Sequence, residues 1–553
     1  MNRLLLRLFA SFSTPGLALA FIFFAASLTP SLMPRSYFIQ GALSGIAAAV
    51  GYLIAVSFTW LWKYLELPVF GGRRLPGNLI VCGLGLLLAV AFLWRAADWQ
   101  NSIRDLWHME RVDTADPFKV ATIAILVFFA AFLIGRLFRL TCLSFSGWLS
   151  RFVPRRVSQV VGGALAIVLF WSVVNGVLLR SALHMADTSF RKLDALVEDN
   201  IPVPADPAKT GSTASLVTWE GLGRQGRHFI SSGPTAVDIG DFWKTVAQEP
   251  IRTYVGLNNA ETIEQRAKLA LDEMKRQGAF ERSLLVIIVP TGTGWIDPEA
   301  MDTLEYLQHG DVASVGLQYS YLTSWLSLLV EPEYGSASAR ALFREVYGYW
   351  TTLPRDKRPK LYLHGLSLGA LNSQISADIF DIVSDPFQGA LWSGPPFESR
   401  MWRDVTAARN PQSPAWLPQF RDGSLIRFTN QTNQLDIPGA HWGPIRLVYL
   451  QYASDAVTFF DPHSFYREPA WMRQPRGPDV SPSLRWFPAL TMLQLLVDMA
   501  TATTSPMGYG HVYAPQHYID GWIAVTDAKI DAEQVDALKR LFQQRPAQTG
   551  EGD

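Results

Sequence analysis

The sequence predicts two bodies in one chain: an N-terminal all-α bundle of five membrane-spanning helices, then an α/β domain built on a mostly parallel sheet with cap-like insertions. Three observations carry this. Charge is excluded from five long stretches in the first third. Strand-length apolar runs alternate with helical patterns beyond residue 216, the texture of an α/β architecture. The charges are also unevenly divided, although the 553 residues hold 48 basic and 48 acidic side chains and are formally neutral. Residues 1–180 contain 16 Lys/Arg against 6 Asp/Glu, which leaves 32 against 42 for the remainder. With 49% hydrophobic and 17% charged residues, the composition excludes a disordered chain and a uniformly basic nucleic-acid binder. Two cysteines exclude a disulfide-stapled scaffold.

The charge-free stretches are 8–34, 36–62, 75–94, 120–135 and 157–179. A bilayer core of about 30 Å needs roughly 20 apolar helical residues, which four of them supply. The stretch at 120–135 is shorter, but Leu137 and Phe138 extend it if the Arg136 stem snorkels to the interface. A cleaved leader does not account for the pattern, because four further spans follow the first. Ten Lys/Arg fall in the tail and the second and fourth loops, against five in the first and third, which places the amino terminus in the cytoplasm. Five crossings then put everything after Leu179 outside. The spans carry no interior charge of the kind that marks a transport pathway. Cys82, in the third span, and Cys142, after the fourth, read as small apolar filler. The lipid bilayer is the expected partner, with no metal, cofactor or nucleic acid.

Residues 181–199 read as an amphipathic helix, and Pro202, Pro204, Pro207 and Gly211-Ser212-Thr213 as a polar spacer. The expected division is a membrane module at 1–180, helix and linker at 181–215, the α/β domain at 216–540 and a disordered tail at 541–553. Strands are expected at 283–289 (SLLVIIV), 312–319, 360–363, 387–392, 425–429 and 447–452, with helices at 263–277, 338–350 and 370–383. Gly221-Leu222-Gly223-Arg224-Gln225-Gly226 spells G-x-G-x-x-G, which cradles a dinucleotide only between a strand and a helix. The run before it is short and residues 227–234 do not read as a helix, so a glycine-rich turn is expected.

The segment 360–372 (KLYLHGLSLGALN) is an apolar strand, then G-x-S-x-G, then a helical pattern. Such a turn pushes the serine hydroxyl out at the top of a sheet, and its glycines remove side chains that would collide. Ser367 is therefore the candidate nucleophile, and it needs a base within hydrogen-bond reach, oriented by a third group. In elbows of this type the partners follow in the order Ser, Asp or Glu, His. Of nine histidines, that order leaves His441, His463, His511 and His517. His511, in the glycine-rich segment 508–513 (GYGHVY), is the first choice and His517 the second. For the acid, Asp455 stands just past a late strand, with helix capping as its competing role; Asp436 is the alternative and Asp461 a weaker one. The oxyanion hole needs the N–H after the nucleophile, that of Leu368, and one from the loop 289–295 (VPTGTGW), where Thr291 or Gly292 is expected.

From about Trp219 onward the chain resembles the α/β-hydrolase superfamily. As a whole it resembles a bacterial integral-membrane branch in which a multi-span module precedes the hydrolase domain. The resemblance is carried by 219–229 (WEGLGRQGRHF), the elbow 365–369, 392–397 (WSGPPF), 451–455 (QYASD) and 508–513 (GYGHVY). It implies Ser367, Asp455 and His511 as a catalytic triad, and an inner-membrane location. Where the branch tends to have a histidine in the first half of a Gly-His-Gly-His loop, this chain has Tyr509, leaving His511 the base there.

The function expected is a membrane-anchored, extracytoplasmic serine hydrolase acting on an ester, lipid-like or other. An acyltransferase using the same acyl-enzyme is one alternative, and a non-catalytic sensor or scaffold another. Insertions at 392–424 and 464–506 are candidate caps. Trp325, Trp392, Trp402, Trp416, Trp442 and Trp486 suit either an acyl pocket or ordinary core.

Overall fold

The computed structural model describes residues 11–68, 74–179, 194, 198, 201–322 and 332–545. The chain divides into two units. The first comprises Met1–Ala182, Asp461–Arg473 and Pro478–Thr501; the second comprises Leu183–Phe460, Gln474–Gly477 and Ala502–Asp553.

The first unit contains α1 (Thr14–Ser27), α2 (Tyr37–Tyr64), α3 (Arg74–Arg104), α4 (Pro117–Leu149) and α5 (Arg155–Trp171), the last continued by a π-helical stretch, Ser172–Leu179. Among the described residues, four helices are long and apolar enough to cross a membrane. Leu84, Leu87, Leu126 and Leu133 stand more than half exposed on α3 and α4, as on helices that lipid covers. The fifth expected span is helical for only the 14 residues of α1, about 21 Å at 1.5 Å per residue. Pro30 disfavours helix at Thr29, so residues 28–34 leave the helix, with Leu28, Leu32 and Met33 buried. Residues 8–10 of that span lie outside the described residues.

Most of 464–506, expected as a cap, belongs to this membrane unit. The helix Leu490–Ala500 presents Leu490 to Ala26 and Ala47, with Phe23 and Phe487 packed around them. Its Asp498 is fully buried and accepts from Arg35 Nε at 3.0 Å and Nη2 at 2.9 Å through one oxygen, and from the Leu32 amide at 3.0 Å through the other. Nearby, Gln494 donates to the Thr29 carbonyl at 3.2 Å, Trp107 Nε1 to the Asp479 carbonyl at 3.0 Å, and the Ser102 and Ser481 hydroxyls meet at 2.6 Å. An apolar run alone does not distinguish a cap from a segment of this kind. Its buried carboxylate, which demands a cationic partner, is what ties it here.

The second unit is built on seven parallel strands: β1 (Ile251–Val255), β2 (Leu284–Val289), β3 (Val312–Leu317), β4 (Lys360–Leu366), β5 (Gly389–Ser393), β6 (Ile426–Thr429) and β7 (Arg446–Leu450). Their order across the sheet is β1-β3-β2-β4-β5-β7-β6. All six residues of β2 and of β3 are buried, as parallel strands covered on both faces require. The six expected strands are present. Strand β1 is additional and lies at the sheet edge; Arg252 and Thr253 interrupt its apolar pattern. Arg252 is nevertheless buried, because it donates to Glu305 at 2.8 and 2.7 Å, to Asp302 at 2.6 Å and to the Phe229 carbonyl at 2.8 Å.

Among the flanking helices are α6 (Gly223–Ser231), α7 (Ile263–Arg276), α8 (Pro298–Leu307), α9 (Pro332–Thr352), α10 (Leu368–Gln374), α11 (Pro515–Thr526) and α12 (Ala532–Gln544). Helix α6 corrects the expectation for residues 227–234, since Phe229 and Ile230 are buried and that burial outweighs weak local propensity. A 3₁₀ turn, Glu220–Leu222, precedes it rather than a strand, so the dinucleotide context is missing. The helix expected at 370–383 is broken: α10 stops at Gln374, and a short turn of helix, Ile379–Ile382, restarts behind the Asp378 cap. Helix α12 runs through Gln544, past the expected start of the tail at 541. The amphipathic helix expected at 181–199 lies outside the described residues except at 194 and 198.

Candidate active site

Strand β4 is central and paired on both sides, with Val289 opposite Gly365 and Ser393 opposite Leu366. The next residue, Ser367, has φ 56° and ψ −126°, a conformation costly for a residue with a Cβ. The turn is held from both ends. The Ser367 amide donates to the Ser393 carbonyl at 3.1 Å, and the Leu371 amide donates to the Ser367 carbonyl at 3.1 Å. The two elbow glycines are required by close approach. A Cβ on Gly365 would stand 2.3 Å from the Gly369 carbonyl carbon, and one on Gly369 would stand 2.1 Å from the Val289 carbonyl oxygen. Helix α10 therefore starts directly over β2, with Leu368 as its first residue, where amides have no intrahelical acceptor.

Asp455 follows β7 by five residues and caps the short helix Ala456–Phe459. Both roles weighed for it thus coincide in one carboxylate. One oxygen accepts the Val457 and Thr458 amides at 2.9 and 3.3 Å. The other accepts the Thr458 hydroxyl at 3.1 Å, the Tyr513 hydroxyl at 2.7 Å and His511 Nδ1 at 2.7 Å. A carboxylate with five donors is fixed in position. Because His511 Nδ1 carries the proton in that bond, Nε2 is the basic nitrogen of the ring. Asp455 is fully buried, and Ser367 and His511 are 4% and 5% exposed. Gly394, one residue beyond the Ser393 carbonyl that holds the elbow, lies against the His511 ring: a Cβ there would be 2.6 Å from Cε1. The ends of β4, β5 and β7 therefore gather the elbow, the His511 contact and Asp455 along the carboxyl edge of the sheet.

Residues 251–538 match the alpha/beta-hydrolase family, and residues 28–234 match the family's N-terminal module. The chain belongs to the alpha/beta-hydrolase family. No curated protein and no solved structure matches it.

Several alternatives within the domain are placed elsewhere. His517 Nδ1 lies 2.6 Å from the Tyr452 hydroxyl, and burial pushes its pKa down to about 4. His364 is buried against the Leu391 carbonyl at 2.7 Å and is likewise pushed down to about 4 by burial. Asp436 is exposed, with Arg427 as its charged neighbour, and Asp461 bonds His463 at 2.8 Å in the membrane unit. The Thr291 amide donates to the Trp295 carbonyl at 2.9 Å. That bond ties the Thr291 amide to the turn. Trp392 is core in β5, Trp402 donates to Gln451 at 2.7 Å, Trp416 donates to the Pro475 carbonyl at 2.8 Å, and Trp442 stacks 3.9 Å from the Arg427 guanidinium. Trp486 donates to the Ser464 carbonyl at 2.8 Å within the membrane unit, and Trp325 lies outside the described residues. Trp392 and Trp402 are thus core residues, whereas Trp416, Trp442 and Trp486 are half-buried.

Four residues at the site escaped sequence reasoning: Tyr513, Thr458, Ser454 and Tyr452. The Ser454 hydroxyl accepts the Gly510 amide at 3.0 Å, and Tyr452 stacks on Tyr513 with centroids 4.4 Å apart while accepting the Ala514 amide at 3.0 Å. Both hold the His511 loop. Burial, then the Asp455 charge, drive the Tyr513 pKa well above its ordinary value, so its hydroxyl stays a donor. Its place two residues after His511 was the available signal.

Proposed function

We propose that the chain is a membrane-anchored serine hydrolase that cleaves an ester through an acyl-enzyme. Ser367 is the nucleophile and His511 the base that takes its proton and returns it to the leaving alcohol. Asp455 holds the imidazole tautomer and stabilises the imidazolium. The Leu368 amide and that of Gly292 are the oxyanion donors. The observations that carry this reading are the 2.7 Å bond from His511 Nδ1 to Asp455 and a serine held at φ 56° directly after a central strand. Fluorophosphonate labelling of the full chain in detergent tests it: labelling of wild type and none of Ser367→Ala is expected. Wild-type biological function surviving Ser367→Ala without labelling would instead favour a scaffold.

The site is proposed to be extracytoplasmic. If each of α2–α5 crosses once, the chain passes the membrane an even number of times between Tyr37 and Leu179, so both ends share a side. The excursion from the hydrolase sequence bonds Arg35, Ser102 and Trp107, which border the loops of that same side. Counted without the amino-terminal tail, eight Lys/Arg border the opposite side against five on this one, which favours this side as extracytoplasmic. A carboxy-terminal alkaline phosphatase fusion is expected to be active; an inactive one, with a cytoplasmic reporter active at the same position, overturns this topology. The membrane anchor favours esters that partition into the bilayer, with acyl transfer to an alcohol the alternative that product analysis separates.

A further inference from the structure

Behind the proposed triad is a second buried carboxyl that the reaction above does not use. Asp297 closes the loop 289–295 and caps α8, accepting the Glu299 amide at 3.0 Å through one oxygen and the Tyr518 hydroxyl at 2.8 Å through the other. Tyr518 belongs to α11, directly after the His511 loop, and its ring lies 6.4 Å from that of Tyr513. The Asp297–Tyr518 bond thus joins the segment after the loop 289–295 to the helix that follows the His511 loop.

We propose that Asp297 is a positioning residue of the active site, whose ionised form stabilises the His511 imidazolium and so assists proton removal from Ser367. The proposal rests on the hydrolase reading above. Burial pushes the Asp297 carboxyl up to about 7, against the hydrogen bonds from Tyr518 and the Glu299 amide; Asp302 on α8 raises it further and His511 lowers it. His364 on β4 approaches Tyr518 with centroids 6.0 Å apart, but burial keeps it neutral at these pH values. The coupling to His511 is reciprocal: as Asp297 ionises, the imidazolium gains a second anion beside Asp455. No covalent step is added; the Ser367 proton still passes to His511 Nε2.

The folded carboxyl binds its proton more tightly than the unfolded one. Stability linked to it is therefore present below the unfolded value of 3.8 and lost as pH rises through about 7. Asn at this position retains a capping oxygen and an acceptor for Tyr518, so Asp297→Asn tests the charge with little change of shape.

The experiment measures fluorophosphonate labelling rates from pH 5 to 9, and chemical unfolding at the same pH values, for full-length wild type, Asp297→Asn and Ser367→Ala. Wild type is expected to show a rise in labelling near 7 that Asp297→Asn lacks, with several-fold slower labelling of the variant at pH 8.5. The loss of stability between pH 4 and 7 is expected to be shallower in the variant. An unchanged labelling profile overturns the proposal even if the stability profile changes, because that result assigns Asp297 to the fold alone. Absence of Ser367-dependent labelling in wild type overturns the hydrolase reading and the proposal with it, and is distinguished by the Ser367→Ala control.

Discussion

Replacing Tyr513 with Phe tests whether the donors around Asp455 tune the base as well as hold the loop. The phenyl ring preserves the stack on Tyr452 and removes only a hydroxyl that donates at 2.7 Å to the oxygen that also accepts His511. A hydrogen bond to a charged group contributes about 1.5–3 kcal/mol, and unfolding of Tyr513→Phe is expected to report a loss of that size. The effect on chemistry has the opposite sign. With one donor fewer, the Asp455 oxygen becomes a stronger acceptor for His511 and stabilises the imidazolium. If about 1 kcal/mol of the lost bond is transferred in this way, the His511 pKa rises by roughly 0.7 unit. The low-pH limb of fluorophosphonate labelling reports that ionisation and is expected to move up by about 0.5–1 pH unit. A limb that stays in place while stability falls would show that Tyr513 serves only the fold. A limb that moves down would refute the argued sign.

Three further outcomes follow from the packing. Gly369→Ala places a methyl 2.1 Å from the Val289 carbonyl; because the obstacle is backbone, the elbow must shift, and a drop of at least about tenfold in labelling is expected with the helical circular dichroism retained. Asp498→Ala leaves the buried Arg35 without its anion, and about 3–5 kcal/mol of destabilisation is expected in detergent unfolding. His517→Phe removes the bond to Tyr452, outside the proposed proton path; it is expected to leave the shape of the pH profile unchanged, and a lost alkaline or acid limb would return His517 to consideration as base.

The elements legible in advance were those whose signal is local. Strands β2 and β3 announce themselves as six-residue apolar runs, and the elbow because Gly365 and Gly369 are required by contacts within one strand–turn–helix unit. Ser367, Asp455 and His511 could be nominated from chain order, since each follows a strand or loop signal of its own. What escaped depends on pairing across long separations. Strand β1 was hidden because Arg252 reads as a surface charge until Asp302 and Glu305, some fifty residues on, are placed against it. Asp297 reads as a helix cap in Asp-Pro-Glu, which it is; its burial beneath Tyr518 lies 221 positions away in the chain. The excursion at 478–501 reads as a cap because its apolar face is visible in the sequence and its partner Arg35, 463 positions earlier, is not.

The same pairings change the meaning of the charge division. Residues 181–553 carry ten more acids than bases, which taken alone implies an acidic surface. Several of those acids are interior: Asp302 and Glu305 hold Arg252, Glu273 is buried on Arg276, and Asp297 and Asp455 lie beneath the proposed site. Asp498 belongs to the membrane unit, where it cancels Arg35. Asp297 is further discounted, because a carboxyl raised to about 7 by burial carries only part of a charge at neutral pH. The acidic surplus is therefore partly internal, anchoring a strand, a helix and the base of the site. Long-range steering of substrate by a negative field should be correspondingly weaker than the sequence count implies. Labelling rates of a neutral and an anionic fluorophosphonate should accordingly respond alike to salt between about 0.05 and 0.5 M; a marked acceleration of the anionic probe at high salt would place more of that charge on the outside than the buried pairs allow.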